Sequence, residues 1–244
     1  MQLAAPHRLN ALSPAMSDAL IVALGRAQSE SRAILLSGAG RSFCSGVDLG
    51  SADAVPRPDL DGGLILERHF NPLITAVRDL QVPIICAVQG AAAGVGMALA
   101  LSCDIVVAGS NAFFLAPFAS IGLLPDSGLP SLLTRAVGRA RALEVLMLAQ
   151  KLNAQRAHDW GLIARVMADD TLLDEARALA TTLAKGPTVA LAGIRALCWH
   201  AAEQSLAAEL DLERDMQRKI PATADCQEGN RAFREKRAPR FLGR

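Results

Sequence analysis

The chain has 244 residues, 51% of them hydrophobic, and its 25 Lys and Arg against 24 Asp and Glu leave a net charge of +1. That length and apolar content can fill one large domain, which excludes a disordered or fibrous chain, and near-neutrality removes the electrostatic case for nucleic acid or an acidic membrane surface. Five cysteines (Cys44, Cys86, Cys103, Cys198, Cys226) stand at irregular spacings with no metal-ligand or disulfide pattern, and residues 1–6 lack the charged and apolar regions of a secretion signal; a cytoplasmic protein without a metal is expected.

Ser13 before Pro14 predicts a helix over 14–26, capped by the serine hydroxyl with proline at its first position. The apolar run 33–37, closed by Gly38-Ala39-Gly40, predicts a buried strand. Residues 50–63, with Pro56, Pro58 and Gly62-Gly63, predict a mobile loop beside a site, and 64–80 a helix. The uncharged run 82–101 has about the 20 residues that span a bilayer. Pro83, Gln89, Gly90, Gly94 and Gly96 break it, so it reads as a strand over 84–88, a glycine turn and a helix over 94–102. A strand over 104–108 and an extended Phe113–Leu115 follow. Strands without polar alternation point to a sheet covered on both faces and joined by helices, an α/β core.

After Leu129 the pattern is helical throughout. Leu172, Leu173, Ala176, Leu179, Ala180 and Leu183 trace one face that stops at Gly186-Pro187, helices over 189–202 and 206–219 come next, and Asp225 with Glu228 reads as the capping box of a last helix. The expected division is an α/β core over 1–185 and a helical region over 186–244.

Two glycine-bearing strand ends are the candidates for chemistry: Gly38 to Leu49 and Gln89 to Leu99. As dinucleotide fingerprints both fail, because Phe43 and Leu99 occupy the position that needs a small residue for close helix packing, and neither carries a phosphate-loop lysine. The glycines are otherwise explained by tight turns alone. The chemical reading is a pair of free backbone amides: turns at Gly46 and Gly94 aim the following N–H groups into a cleft, and two donors on one oxygen stabilise an enolate or oxyanion by about 3 kcal/mol each.

Pro6-His7-Arg8-Leu9-Asn10-Ala11-Leu12, Phe43-Cys44-Ser45-Gly46-Val47-Asp48-Leu49 and the segment from Gly90 to Asp104 resemble three successive motifs of the crotonase (enoyl-CoA hydratase/isomerase) superfamily, in its order and spacing. Ile121 to Gly128, Leu133 to Gly138, Ala157 to Ile163 and Glu228 to Phe241 continue the likeness over essentially the whole chain. The resemblance implies a ββα-superhelix core with a helical C-terminal trimerisation region, and a homotrimer or hexamer. It implies an acyl-CoA substrate whose thioester oxygen sits between the amides of Val47 and Val95, with coenzyme A as carrier and no permanently bound cofactor. Arg8, Ala11, Ser45, Asp48 and Leu49 would hold the adenine end, and Phe233 and Lys236 would reach the coenzyme A of a neighbouring subunit. One departure is expected: family members carry a further strand before Pro6, which this chain is too short at that end to form.

The hydratases of the family use two glutamates, at positions that read Ala98 and Phe118 here. Without them, adding water lacks its acid and its base. The remaining acid is Asp126, in a Pro125-Asp126-Ser127-Gly128 sequence that also suits a plain turn; it resembles the catalytic aspartate of a subgroup of isomerases. One carboxylate suffices to move a proton from C2 to C4 of a 3-enoyl-CoA, and an apolar pocket, with Phe118, Leu123 and Leu124 nearby in sequence, would raise its pKa. Dehalogenase chemistry needs a histidine where Asn71 stands; His69 reads as a packing histidine and Glu67 as a solvated reserve acid. Cys86 and Cys103 read as core, Cys44 as no nucleophile, and Trp160 as packing against a helix end. The function implied is double-bond isomerisation of an enoyl-CoA; the alternatives are a hydratase with an atypical acid, Glu67 or Asp126, or an acyl-CoA-binding protein without turnover.

Overall fold

A computed structural model describes residues 1–48, 50 and 61–244. Leu49, and residues 51–60 of the loop expected over 50–63, lie outside the described residues. The elements in chain order are β1 (Gln2–Leu3), α1 (Pro14–Glu30), β2 (Ile34–Gly38), α2 (Gly62–Ile65), α3 (Asn71–Arg78), β3 (Ile84–Val88), β4 (Ala91–Ala93), α4 (Val95–Leu101), β5 (Ile105–Gly109), β6 (Phe113–Leu115), α5 (Leu129–Leu148), β7 (Leu152–Asn153), α6 (Ala154–Asp159), β8 (Arg165–Met167), α7 (Leu172–Ala184), α8 (Thr188–Ala201), α9 (Leu206–Gln217) and α10 (Ala224–Arg234).

Five parallel strands form one sheet in the order β1-β2-β3-β5-β8, and β4-β6-β7 form a second. The chain leaves β3 through a turn at Gly90, enters β4 in the second sheet, and returns through α4. It then repeats the move through β5, β6 and α5. This strand-strand-helix winding is the expected ββα superhelix. Successive side chains of β3 serve opposite faces, as strand geometry dictates. Ile84, Cys86 and Val88 join the larger core with Leu36, Phe43, Met97 and Phe114. Ile85 and Ala87 pack with Val107 against Leu172 and Ala176 of α7. A sheet buried on both faces is why its strands are apolar at every position.

Several expectations are corrected. The edge strand before Pro6 is present: Gln2 and Leu3 pair in parallel with Ser37 and Gly38. The region after Leu129 is not helical throughout, since β7 pairs with β6 and β8 with β5; strands of two or three residues are too short to show a period. β4 hides in the glycine turn for the same reason. The capping box at Asp225 and Glu228 does not form. Thr223 caps α10 by accepting from the Cys226 amide, while Asp225 is buried and takes the amides of Leu242 and Gly243 at 2.6 and 2.7 Å.

Ser13 caps α1 as expected, with Pro14 in the first turn. The helix expected over 64–80 runs from Gly62 to Arg78 with a wide π turn over Leu66–Phe70. Pro72, which has no N–H for the carbonyl four residues back, stands two residues after Phe70, the last of that turn. α5 is interrupted at Gly138, whose φ of 79° and ψ of 161° are not helical.

The C-terminal helices are bolted to the core by buried polar groups. Arg195 of α8 holds Asp104 through Nε at 2.6 Å and donates to the carbonyls of Val77 and Leu80 at 2.5 and 2.9 Å. Arg32, ahead of β2, donates to Thr188 Oγ1 and to the carbonyls of Gly186 and Phe241. Among the described residues no helix is long and apolar enough to cross a membrane.

Candidate active site

The site is built where three loops meet, held by two side-chain amides, buried Asn10 and half-buried Gln89. Asn10 is fully buried at a left-handed φ of 56°, a conformation asparagine tolerates better than most residues. Its Oδ1 accepts from the Ala5 amide at 2.9 Å, and its Nδ2 donates to the carbonyls of Ala39 and Ser42 at 2.8 and 2.7 Å. Gln89 donates to the Gly38 carbonyl at 2.5 Å. Gly90 must be glycine: its φ is 56°, and a Cβ would strike the Arg41 carbonyl oxygen.

On that frame two backbone bridges set the amides. Leu12 donates to the Gly46 carbonyl at 2.8 Å and accepts from the Asp48 amide at 2.9 Å. That parallel pairing turns the N–H of the residue between, Val47, to the opposite side, where it has no partner among the described residues. Cys44 pairs with Ala92 in the same manner, so the Cys44–Gly46 segment lies alongside β4. Gly46 and Gly94 therefore face each other: a Cβ on Gly94 would sit 3.7 Å from the Gly46 Cα. Val95 is the first residue of α4, where a helix cannot satisfy its own N–H, and no side chain caps it. Val95 is 1% exposed and Val47 half-buried. The turns that carry the two expected amides are thus brought side by side, and neither N–H has a partner among the described residues.

Of the expected adenine-end residues, Arg8, Ala11, Ser45 and Asp48 gather at the same place. Arg8 pairs with the buried Asp48 carboxylate, whose Oδ1 also takes the Gly50 amide at 3.1 Å. Ser45 donates through Oγ to the Arg8 carbonyl at 3.2 Å and through its amide to Leu9. Ala11 is buried, with its amide on the Arg8 carbonyl. Phe233 and Lys236 are not brought to this cluster by their own chain. They lie on and just after α10, both exposed, Phe233 at 87%.

At the positions where the resemblance expects the hydratase glutamates, the structure places fully buried Ala98 and nearly buried Phe118, whose ring lies 3.9 Å from where a Gly94 Cβ would stand. Phe118 opens a 3-10 turn, Phe118–Ile121, that Gly122 ends at a left-handed φ of 71°. Leu123 and Leu124, close to Asp126 in sequence, then emerge on the surface, Leu124 at 86% exposure, and do not enclose it. Asp126 itself is half-buried, with Oδ1 enclosed and without a hydrogen-bond partner among the described residues. Burial pushes its carboxyl pKa up, and the neighbouring Ser127 hydroxyl opposes this in part.

The rival groups are committed elsewhere. His69 bonds Asp18 of α1 through Nδ1 at 2.9 Å, Glu67 is exposed, and Asn71 is exposed. Cys44 is fully buried against Gly96, where a Cβ would come within 2.6 Å of its own, and burial pushes its thiol up to about 12. Cys86 and Cys103 are core. Trp160 ends α6 with Arg156 stacked 4.3 Å over its ring. Sequence reasoning gave no role to Asn10, Gln89 or Ser127. Asn10 stood within a motif, but its bracket spans loops that only meet in the fold.

Residues 1–244 match the enoyl-CoA hydratase/isomerase family. The chain is 43% identical over 242 residues to the 1,2-epoxyphenylacetyl-CoA isomerase of Escherichia coli, covering 98% of this chain and 92% of that protein. It is 36% identical over 218 residues to the carnitinyl-CoA dehydratase of Proteus mirabilis, covering 87% and 82%. An enoyl-CoA hydratase from Polaromonas sp. JS666 of known crystal structure superposes with a TM-score of 0.91 at 36% identity, covering 98% of this chain and 94% of that one.

Proposed function

The chain belongs to the enoyl-CoA hydratase/isomerase family and transforms an acyl-CoA, and we propose that its reaction is the isomerisation of a double bond in an enoyl-CoA. The observation that carries this reading is Asp126, a carboxylate with an enclosed oxygen and no charged partner among the described residues, unlike Asp48, which is paired with Arg8, while the two expected hydratase acid positions hold Ala98 and Phe118. Addition of water needs one group to position the nucleophile and another to deliver a proton. A 1,3-shift needs one group that takes a proton and gives it back.

In the proposed cycle the thioester oxygen lies between the amides of Val47 and Val95. Asp126 removes a proton from C2 of a 3-enoyl-CoA, the two donors hold the negative charge of the dienolate, and Asp126 returns the proton to C4. The product is the conjugated 2-enoyl thioester. Each donor in such a pair is worth about 3 kcal/mol, and a base whose pKa is raised by burial binds the proton more firmly during its transit. The charge is held by the chain's own amides, so the chemistry calls for no resident cofactor; coenzyme A enters with the substrate. Arg8, Ala11, Ser45, Asp48 and Leu49 are the proposed contacts to its adenine end.

Exposed Phe233 on α10, with Lys236 after it, suits a contact to the coenzyme A of a second subunit in a homotrimer or hexamer. The exposed Val189, Ile194, Leu206 and Leu210 of α8 and α9 offer apolar surface for such an assembly, with 1–185 as the catalytic core and 186–244 as the assembling region. The free cysteines suit a cytoplasmic enzyme. The test offers purified protein a 3-enoyl-CoA and, separately, a 2-enoyl-CoA, with Asp126→Asn alongside. Conjugated product from wild type alone supports the isomerase. Hydration of the 2-enoyl substrate selects a hydratase with an atypical acid, and binding of both without turnover, unchanged by the mutation, selects a binding protein.

A further inference from the structure

The turn that carries Asp126 holds two unusual features at once. Three buried side-chain polar atoms lack a hydrogen-bond partner among the described residues, and two of them, Asp126 Oδ1 and Ser127 Oγ, belong to adjacent residues. Ser127 is 4% exposed and sits at φ 53°, a left-handed conformation that a side chain other than glycine, asparagine or aspartate rarely adopts. Gly128 beside it carries the same hand at φ 73°, and the turn is closed by the Leu129 amide on the Asp126 carbonyl at 2.9 Å. A turn needing only that shape would favour glycine at Ser127. The strained backbone instead keeps a hydroxyl enclosed beside the inner carboxylate oxygen.

We propose that Ser127 is a positioning residue for Asp126: its hydroxyl turns about χ1 to donate to Oδ1, fixing the plane of the carboxylate so that the other oxygen faces the substrate. This rests on the reading of Asp126 as the base. The bond is strongest while Asp126 is ionised and weakens when the carboxyl holds the substrate proton, since a neutral acid is a poorer acceptor. Among the described residues no charged side chain pairs with Asp126, so the hydroxyl is its near neighbour able to favour the ionised form.

Ser127→Ala removes the hydroxyl and keeps the strained backbone; Ser127→Gly removes both. The acid limb of kcat/KM for a 3-enoyl-CoA is expected to rise by about one pH unit in both variants, the scale of a hydrogen bond to a charged group. The titration of the Asp126 carboxyl by carbon NMR, assigned by its loss in Asp126→Asn, is expected to rise equally without any turnover. Lower thermal stability in either variant with an unmoved limb and an unmoved titration would overturn the proposal. An inactive Asp126→Asn beside unmoved Ser127 variants overturns it alone; an active Asp126→Asn overturns the base reading and the proposal with it.

Discussion

Replacing Val95 by proline isolates one amide of the proposed oxyanion pair. Proline deletes the N–H and fixes φ, and both changes are tolerated at the first position of a helix, where the N–H has no partner within the helix. α4 starts at Val95, and its first helical bond runs from the Ala98 amide to the Gly94 carbonyl at 3.1 Å, so no backbone hydrogen bond of the fold is lost. Val95 is 1% exposed, and proline is close to it in size, so the stability cost is expected to stay within about 1–2 kcal/mol. The catalytic cost is larger. A donor in an enclosed site stabilises the developing charge by about 3 kcal/mol, which is roughly a hundredfold or more in kcat. Val95→Ala, which trims the side chain and keeps the amide, is the control and is expected to retain activity within about tenfold. Steady-state kinetics on a 3-enoyl-CoA, with urea unfolding of all three proteins, separates the two costs. If Val95→Pro folds and turns over within a few-fold of wild type, the Val95 amide does not hold the enolate oxygen and the geometry argument is wrong.

Asp126 should act on both rate and stability. Its pKa is raised by burial, so the rate should fall with falling pH through a limb above the ordinary aspartate value of about 3.9. A raised carboxyl in the folded state binds protons more readily than in the unfolded chain, so its contribution to stability is lost as pH rises; Asp126→Asn should therefore melt higher than wild type at neutral pH, as calorimetry will read. Cys44, with its thiol pushed up to about 12, should remain unmodified by iodoacetamide at pH 8 while exposed Cys198 reacts, as peptide mass mapping of the native protein can check. Arg195→Met should destabilise by about 3–5 kcal/mol in urea because it strands the partly buried Asp104 carboxylate and three backbone carbonyls; a loss under about 1 kcal/mol would mean that α8 is not anchored there.

Much of this architecture is written in short-range patterns. The cap at Ser13, the apolar strands at Ile34, Ile84 and Ile105, and the helix stop before Gly186-Pro187 follow from capping chemistry, burial on two faces and the break that proline imposes, all of which act within a few residues. The absence of both hydratase glutamates, and so the bias toward a one-base reaction, is also a property of the sequence, because a residue type that is missing cannot be supplied by folding. β1, β4, β7 and β8 leave no signal in the sequence because two or three residues carry no period; each exists only through the strand that it pairs with.

The site depends on the fold in the same way. That Gly46 and Gly94 face each other is fixed by the Leu12 and Cys44 bridges and by the Asn10 and Gln89 brackets, which join residues far apart along the chain. Leu123 and Leu124 stand close to Asp126 in the sequence, but the chain turns at left-handed Gly122 and leaves both on the surface. The sequence by itself determined which groups are available for chemistry, since side-chain identity needs no partner. Only the tertiary structure decided which amides stay unpaired and which carboxylate is enclosed, because hydrogen-bond satisfaction and burial are properties of what packs alongside.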